Sequence, residues 1–235
     1  MKVVVLMPTY NEAETLENSV RDLFMHNPDV DLLVIDDNSP DGTGAIADRL
    51  ARANSSISVL HRHKKKGLGD AYVEGFTQLL GKQYSHFVEM DADGSHRAED
   101  LKKMLNQAGK FDLVIGSRWV VGGEVTNWSP TRQAISRSGN RYARWILRSK
   151  VSDMTSGFRV YSRDLLEKLP LKSMQAHGYA FQVEMTFKSE RLTSSIMEIP
   201  IRFIEREGGR SKMSLWIVFE AFWLCTKWGL VGAKR

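Results

Sequence analysis

The sequence predicts an α/β fold in which a mostly parallel central sheet is covered by helices on both faces. Two observations predict it. Short apolar runs alternate with segments of helical spacing, and polar or acidic residues follow most of the apolar runs. A chain of 235 residues, 42% hydrophobic and 26% charged, is long and apolar enough to form one such domain.

The first half of the chain supplies the regular part of this pattern. The apolar runs predicted as strands are Val3–Met7, Leu32–Ile35, Ile57–Leu60, His86–Met90 and Leu113–Ile115. The stretches predicted as helices between and after them are 12–25, 43–53, 69–80 and 98–108. Strands that are joined through helices run parallel, so these strands are expected to end at one edge of the sheet.

The regular alternation ends after the fifth strand. Residues 122–130 predict a long loop, which in a compact domain is usually functional, and a basic helix is predicted over 132–148. The remaining predicted elements are a helix at Tyr179–Arg191, a strand at Ser195–Ile204 and a Gly-rich basic loop at Arg206–Lys212.

The most apolar stretch, Leu215–Gly232, is interrupted by Glu220 and Lys227 and has the minimum length that crosses a bilayer, about 18 residues. Its aromatic residues are Trp216, Phe219, Phe222, Trp223 and Trp228. Aromatic and basic residues together are typical of a C-terminal amphipathic helix lying at a membrane surface. The alternative is a core helix of the same domain. We divide the chain into a domain of 1–212 and this helix with its tail, 213–235.

Composition limits the partners and the compartment. The excess of 33 Lys and Arg over 28 Asp and Glu favours an anionic partner, which leaves nucleic acid, an acidic membrane surface and a phosphorylated substrate. The basic run His61–Lys66 lacks the interleaved aromatics of a strand-binding surface, so nucleic acid is not expected and a solvated or membrane-facing loop is. The single cysteine, Cys225, excludes an intramolecular disulfide and a cysteine-based zinc site and fits the cytoplasm.

Two aspartates directly follow the fourth predicted strand. Asp91 and Asp93 are two residues apart, so in extended backbone their side chains point to the same side. Carboxylate oxygens suit Mg²⁺ or Mn²⁺, and Mg²⁺ commonly combines one or two carboxylates with substrate phosphates. A nucleoside diphosphate would supply those phosphates. The alternative is an ordinary turn at Asp93-Gly94.

The residues at the ends of the first two strands also have two interpretations each, a ligand-binding role and a structural role. Asp36 and Asp37 close the second strand, and two adjacent carboxylates there repel each other unless a donor or ligand, such as a ribose or base, occupies the space. The residues that follow them form a turn and a helix cap. Residues 8–12 either begin a helix or place Tyr10 for stacking on a base.

Eight segments in order carry a family resemblance. They are MPTYNEAETL, VIDDNSPDGT, KKKGLGDAYVEGF, EMDADGSH, LVIGSRWV, DMTSGFRVYSRDLLEKL, GYAFQVEM and IPIRFIEREGGRSKMS. Over nearly the whole chain the sequence resembles the polyprenol-phosphate (dolichol-phosphate) mannosyltransferases, an inverting branch of glycosyltransferase family 2. The end of the chain is most similar to actinobacterial polyprenol monophosphomannose synthases. The resemblance implies a GT-A fold, with a Rossmann-like sheet.

The resemblance implies a binding site for a nucleotide sugar. The donor-binding residues that it implies are Pro8, Tyr10, Glu12, Ile35, Asp37, Asp91, Ala92, Asp93, Arg118, Arg206 and Lys212. The first three would line the guanine nucleotide, and Ile35 and Asp37 would lie at the base and ribose. Asp91, Ala92 and Asp93 would hold the diphosphate through the metal. Relatives often carry glutamine two residues after the second aspartate as a further metal contact, and here that residue is Ser95.

The resemblance also implies the acceptor side. Arg118 would meet both the diphosphate and the acceptor phosphate, and Arg132 and Ser136 would grip the phosphate of the lipid. Asp93 and Arg118 are the residues implied as catalytic. A phosphate monoester is largely dianionic at neutral pH, so it attacks without a general base.

The function implied is metal-dependent transfer of mannose from GDP-mannose to a polyprenyl monophosphate, giving polyprenyl-phosphomannose and GDP. The cofactor would be Mg²⁺ or Mn²⁺. The enzyme would act peripherally at the cytoplasmic face of a membrane, with a separate membrane-embedded subunit as a further partner. The alternatives are UDP-glucose or another nucleotide sugar as donor, and a catalytically silent nucleotide-sugar-binding subunit.

Overall fold

The computed structural model describes residues 1–176, 178, 180–205 and 215–232, and within the last helix it describes the side chains of residues 222–230. The strands are β1 Val3–Thr9, β2 Val30–Asp36, β3 Ile57–His61, β4 His86–Glu89, β5 Leu113–Ser117, β6 Glu124–Thr126, β7 Arg159–Ser162, β8 Ile196–Pro200 and β9 Arg202–Ile204. The helices are α1 Leu16–His26, α2 Thr43–Ala53, α3 Leu68–Leu80, α4 Ala98–Ala108, α5 Pro130–Leu147, α6 Arg163–Lys168, α7 Ala180–Ser189 and α8 Leu215–Gly232.

Seven strands form the central sheet in the order β3-β2-β1-β4-β7-β5-β8. All neighbours are parallel except β7, which runs antiparallel between β4 and β5. The predicted mostly parallel sheet is therefore confirmed. The sequence reading missed β7 and α6, because β7 is only four residues long and its first residue is an arginine, which is seldom buried.

Helices cover both faces of the sheet, as predicted. In β1, Val3, Val5 and Met7 face one hydrophobic cluster and Val4 and Leu6 face the other, because successive side chains of a strand point to opposite faces. Helices α1, α2 and α4 complete the first cluster, and α3, α5, α7 and α8 complete the second. Burial on both faces explains why the strands are continuous apolar runs rather than alternating ones.

Two local features set the position of helices near the carboxyl edge of the sheet. A Cβ atom on Gly75 of α3 would come within 2.7 Å of the side chains of Leu6 and Ile35, so glycine lets α3 pack directly on the strands. At the start of α5, Ser129 Oγ accepts a hydrogen bond from Arg132 N at 3.3 Å, and Pro130 occupies the first turn. This cap fixes the first turn of α5, which carries the Arg132 side chain.

The predicted strand Ser195–Ile204 is wrong as a single element. The chain leaves the central sheet after β8, and β9 pairs in parallel with β6, which lies inside the predicted loop 122–130. Three-residue strands carry too little periodicity to be recognised from sequence. A Cβ atom on Gly123 would lie 2.6 Å from the carbonyl oxygen of Ser117, so glycine is needed where the chain turns into β6.

Helix α8 packs against α5 and α7. Leu224, Cys225 and Trp228 are buried in the second cluster, and Tyr142 Oη lies 2.6 Å from Thr226 Oγ1. This face of α8 belongs to the domain core, in agreement with the alternative reading, while Phe222 and Trp223 on another face are exposed. Within the ranges that the structure describes, no helix is both long and apolar enough to cross a membrane.

Candidate active site

The carboxyl ends of β1, β2, β4 and β5 meet at one edge of the sheet because these strands are parallel to one another. The residues predicted for the site follow these ends: Tyr10 after β1, Asp37 after β2, Asp91 after β4 and Arg118 after β5. The topology thus brings together segments that lie up to about a hundred residues apart in sequence.

The loop after β4 presents two carboxylates. The buried Ala92 holds the loop, because its carbonyl oxygen accepts a hydrogen bond from Ser19 Oγ at 2.8 Å. Asp93 Oδ1 accepts from Ser95 N at 3.0 Å, and Gly94 supplies the positive φ of +75° that this turn requires. The side chain of Asp91 is 36% exposed. Both carboxylates are therefore partly exposed at this edge of the sheet and do not belong to the core.

This loop fits a divalent cation. Ser95 Oγ is buried and has no hydrogen-bond partner in the part of the chain that the structure describes, so it is an unused oxygen beside the two carboxylates. Among those residues no group of three or more His, Cys, Asp or Glu is arranged to hold a metal. Mg²⁺ commonly binds through one or two carboxylates together with the phosphates of a substrate.

His96 supports the loop, and the sequence reading did not single it out. Its Nδ1 accepts a hydrogen bond from Asp91 N at 3.0 Å, and its ring stacks on Phe158 with a centroid distance of 4.7 Å. Burial lowers the pKa of His96 to about 4, and the charges of Asp93, Arg118 and Asp153 also act on it. The imidazole is thus neutral at pH 7. The His96 ring lies 5.7 Å from the Phe203 ring, and the Arg118 guanidinium carbon lies 5.5 Å from the same ring, so the Asp91–Asp93 loop and Arg118 lie close together.

Arg118 is held by a buried aspartate. Its Nε and Nη2 donate to the two carboxylate oxygens of Asp153 at 2.8 and 2.7 Å, its backbone N donates to Oδ2 at 2.9 Å, and Nη2 also donates to Thr155 Oγ1 at 2.8 Å. Burial alone would raise the pKa of Asp153, but the charge and hydrogen bonds of Arg118 hold that pKa below its usual value. The segment DMTSGFR, residues 153–159, therefore holds Arg118 in position, and we call it the mount of Arg118.

A buried arginine fixes this mount. Arg159 is fully buried, and it donates to the carbonyl oxygens of Ser156 and Met154 at 2.7 and 2.9 Å. It lies opposite Glu89 in the β4–β7 ladder. Burial raises the pKa of Glu89 to about 7, against the effect of the Arg159 charge. The end of β4 that precedes the Asp91–Asp93 loop is thereby tied to the turn that carries Asp153.

The predicted acceptor residues lie on α5. Arg132 pairs with Glu205 Oε1, and its guanidinium lies 4.2 Å from the ring centroid of Trp128. Ser136 is half-buried one turn further along, and its carbonyl oxygen accepts from Asn140 Nδ2 at 3.0 Å. The same amide donates to Thr155 Oγ1 at 3.0 Å, which links α5 to the mount of Arg118.

The two aspartates after β2 have protein partners, which the sequence reading did not identify. Asp36 Oδ1 accepts from Ser39 Oγ at 2.6 Å and from Thr9 Oγ1 at 3.2 Å. Asp37 pairs with Arg62, which also donates to Glu74 Oε2 at 2.8 Å. Arg62 is buried, so the prediction of a solvated or membrane-facing run at His61–Lys66 is wrong at this residue. Burial is the largest influence on Asp37 and raises its pKa, against the charge of Arg62.

The residues at the end of β1 lie between the ends of β2 and β4 on the same edge. Pro8 and Tyr10 are half-buried, and Lys65 Nζ lies 3.8 Å from the ring centroid of Tyr10. Glu12 is mostly buried, and its Oε2 accepts from Thr15 Oγ1 at 3.1 Å. The side chain of Ile35 is fully buried against Gly75, so its predicted role at the base stays a prediction.

Arg206 and Lys212, predicted to bind the donor, lie outside the described residues. The strand that precedes them ends at the site, because Ile204 N donates to the carbonyl oxygen of Ser95 at 3.3 Å. Glu205, the last described residue before Arg206, is the partner of Arg132. Ile204 and Glu205 therefore contact the loop that follows β4 and α5, respectively, just before the predicted basic loop.

Comparison with known proteins identifies the family. The family model described as glycosyl transferase family 2 matches residues 4–170. The chain belongs to this family. It is 48% identical to the undecaprenyl-phosphate mannosyltransferase of Micrococcus luteus over 98% of this chain and 95% of that protein. It is 45% identical to the polyprenol monophosphomannose synthase of Mycolicibacterium smegmatis over 98% of this chain and 88% of that protein. The resemblance stated from the sequence is confirmed.

A solved structure shows the same fold. The glucosyl-3-phosphoglycerate synthase of Mycobacterium tuberculosis, in complex with Mn²⁺, UDP-glucose and phosphoglyceric acid, superposes with a TM-score of 0.68 at 20% identity. The match covers 96% of this family 2 chain and 80% of the synthase. The GT-A fold predicted from the sequence is confirmed, and the chain is a glycosyltransferase.

Proposed function

We propose that this glycosyltransferase transfers mannose from GDP-mannose to a polyprenyl monophosphate with inversion, giving polyprenyl-phosphomannose and GDP. One observation carries the proposal. His96, which accepts a hydrogen bond from Asp91 N, lies 5.7 Å from the Phe203 ring, and the Arg118 guanidinium carbon lies 5.5 Å from the same ring. A place for a metal-bound diphosphate at the Asp91–Asp93 loop therefore lies beside a guanidinium suited to a second phosphate. The names of the two curated relatives support polyprenyl phosphate as acceptor and mannose as the sugar.

The residues fit the chemistry of this transfer. Bound Mg²⁺ or Mn²⁺ would neutralise charge on the leaving diphosphate, and Asp91 and Asp93, with Ser95 beside them, would hold it. Arg118 and Arg132 would place the acceptor phosphate, because a guanidinium fork binds two phosphate oxygens at once. A phosphate dianion is already a nucleophile, so no side chain has to remove a proton. The work of the protein is positioning and charge stabilisation.

The alternatives differ in the donor and in activity. UDP-glucose or another nucleotide sugar would use the same carboxylates and arginines, since these groups contact phosphates rather than the sugar. A silent nucleotide-sugar-binding subunit would have no need for the mount of Arg118, in which one buried carboxylate accepts three hydrogen bonds from that arginine. We therefore favour an active enzyme.

The test is transfer of radiolabelled sugar to polyprenyl phosphate in detergent. GDP-mannose and UDP-glucose are supplied in parallel, each with Mg²⁺, with Mn²⁺ or with EDTA. We expect lipid-extractable label from GDP-mannose only, and only with metal. Label from UDP-glucose alone would overturn the donor. Tight nucleotide binding with no label from either donor would favour the silent subunit.

Arg132→Ala is expected to impair use of the lipid phosphate and to leave GDP affinity nearly unchanged. The guanidinium belongs to α5 and not to the Asp91–Asp93 loop, so its loss removes a phosphate contact worth about tenfold or more in acceptor KM. Acceptor KM and the Kd for GDP are measured side by side. Arg49→Ala is the matched control, because Arg49 also pairs with a glutamate, at 2.8 Å, but on α2. An equal loss of acceptor and GDP affinity would contradict the acceptor role.

We further propose that the enzyme binds the cytoplasmic membrane face peripherally, through exposed parts of α5 and α8. Trp145 is 73% exposed and Trp223 is 55% exposed, and Phe222 stacks on Tyr142 at 4.4 Å, which joins the two helices. The exposed cations around these rings are Arg141, Arg144, Arg148 and Lys227. Helix α5 contains no acidic residue. Aromatic rings and cations together suit an anionic headgroup layer.

The double variant Trp145→Glu/Trp223→Glu is expected to lower binding to anionic liposomes by about tenfold or more, because it removes two apolar anchors and adds negative charge. Cosedimentation with anionic liposomes measures this binding. Met25→Glu is the control, since Met25 is 66% exposed on α1, on the other side of the sheet. These substitutions are preferable to deletion of α8, which would uncover the core. If liposome binding were unchanged, we would instead assign this face as the binding surface for a membrane-embedded subunit.

A further inference from the structure

Three aromatic side chains form a continuous wall beside the candidate site. Trp119 follows β5, Trp128 precedes α5 and Phe203 lies in β9. The Trp119 and Trp128 rings are 6.2 Å apart, and the Trp128 and Phe203 rings are 5.6 Å apart, both edge to face. We call Trp119, Trp128 and Phe203 the aromatic wall. It exists because the β6–β9 pair brings three separate segments together.

The wall lies against the arginines assigned to the acceptor phosphate. The Arg118 guanidinium carbon is 5.6, 5.6 and 5.5 Å from the ring centroids of Trp119, Trp128 and Phe203. The Arg132 guanidinium is 4.2 Å from the Trp128 ring. Trp128 thus contacts both arginines. A phosphate held by these arginines would have an aromatic surface directly beside it.

The wall also carries unused hydrogen-bond donors. The indole Nε1 atoms of Trp119 and Trp128 are buried, and neither has a hydrogen-bond partner among the residues that the structure describes. Buried N–H groups are almost always paired in native proteins, with protein, water or ligand. The two rings themselves are only partly buried. A wall that served only as packing would not be expected to combine two unpaired donors with neighbouring cations.

We propose that the aromatic wall is the subsite for the first isoprene unit of the acceptor, and that Trp128 Nε1 donates a hydrogen bond to the phosphate or its ester oxygen. This inference rests on the proposed function. The chemistry matches because the first isoprene unit is bonded directly to the phosphate. When arginines hold that phosphate, the isoprene unit lies next to them and needs an apolar surface there. Flat rings bind the planar, unsaturated hydrocarbon through buried apolar area.

The experiment measures equilibrium binding of two water-soluble phosphates in the presence of GDP, without membrane or transfer. Geranyl phosphate carries two isoprene units, and methyl phosphate carries none. We expect the wild-type chain to bind geranyl phosphate at least about tenfold more tightly, which is the contribution of one buried apolar group of this size. Trp128→Ala is expected to remove most of that preference and to change methyl phosphate binding by less than about twofold.

Trp128→Phe keeps a ring and removes the N–H group, so it is expected to keep most of the preference for geranyl phosphate and to weaken both phosphates by a few-fold. Phe24→Ala is the matched control, because Phe24 is a partly buried ring on α1 outside the wall, and it is expected to change neither affinity. The melting temperature of each variant shows that it is folded.

Two results would overturn the inference. One is a wild-type chain that binds both phosphates equally. The other is a Trp128→Ala variant that weakens both equally, which would mean that the wall only supports the arginines. A chain that prefers geranyl phosphate but transfers no mannose from GDP-mannose would refute the proposed function and leave the subsite standing.

Discussion

Replacement of Asp93 by asparagine is expected to lower kcat/KM for sugar transfer by about a thousandfold, the effect of losing a main charge contact to a leaving group. Asparagine keeps the Oδ1 atom that accepts the hydrogen bond from Ser95 N at 3.0 Å. The turn at Gly94 should therefore persist, and the melting temperature should change little. What is lost is the negative charge that we propose holds the divalent cation.

The measurement is kcat/KM over a wide range of Mn²⁺ concentration, together with the melting temperature. Asp48→Asn is the matched control, because Asp48 is a half-exposed carboxylate on α2 that pairs with His61 at 2.9 Å. The control should keep wild-type activity. If Asp93→Asn retained more than about a tenth of the activity at ordinary metal concentrations, the metal-binding role of Asp93 would be wrong.

Much of the fold could be predicted because local patterns of apolar residues determine its strands and helices. The five apolar runs became β1 to β5 with boundaries shifted by a few residues, since strands buried on both faces are continuous apolar segments. Strand β7 could not be predicted, because it depends on Arg159, whose burial is compensated by Glu89 on the neighbouring strand and by the carbonyl oxygens of Ser156 and Met154 in the preceding turn. The pairing of β6 with β9 is likewise a tertiary contact.

The candidate site likewise has features that the sequence predicts and features that it does not. Asp91 and Asp93 could be predicted as site residues because they follow a strand, and the ends of parallel strands meet at one edge of the sheet. The partners of the charged residues were not visible. Asp37 pairs with Arg62, 25 residues away, and Arg118 pairs with Asp153, 35 residues away. A single sequence contains no signal that joins such pairs. Residue type gave only the expectation that buried charges need partners.

Asp153→Asn is expected to lower kcat/KM by about a hundredfold and to lower the melting temperature as well. The carboxylate accepts two charge-assisted hydrogen bonds from the Arg118 guanidinium and one from its backbone. An asparagine would leave a buried guanidinium without its counter-charge, which costs about 3–5 kcal/mol, and it would offer a donor where Arg118 needs an acceptor. Arg118 would then lose the orientation in which it can bind phosphate.

A loss of stability alone would not account for the expected result, and two variants separate the effects. Asp112→Asn removes an acceptor that Thr193 Oγ1 contacts at 2.6 Å, but at the opposite edge of the sheet, so it should lower the melting temperature and keep kcat/KM in the cold. Thr155→Val keeps Asp153 and removes the second acceptor of Arg118 Nη2, at 2.8 Å, together with the acceptor of Asn140 Nδ2, at 3.0 Å. It should cost about tenfold in kcat/KM with less destabilisation than Asp153→Asn. If Asp153→Asn melted earlier but kept wild-type kcat/KM below its transition, Asp153 would be a structural residue and Arg118 would not depend on it.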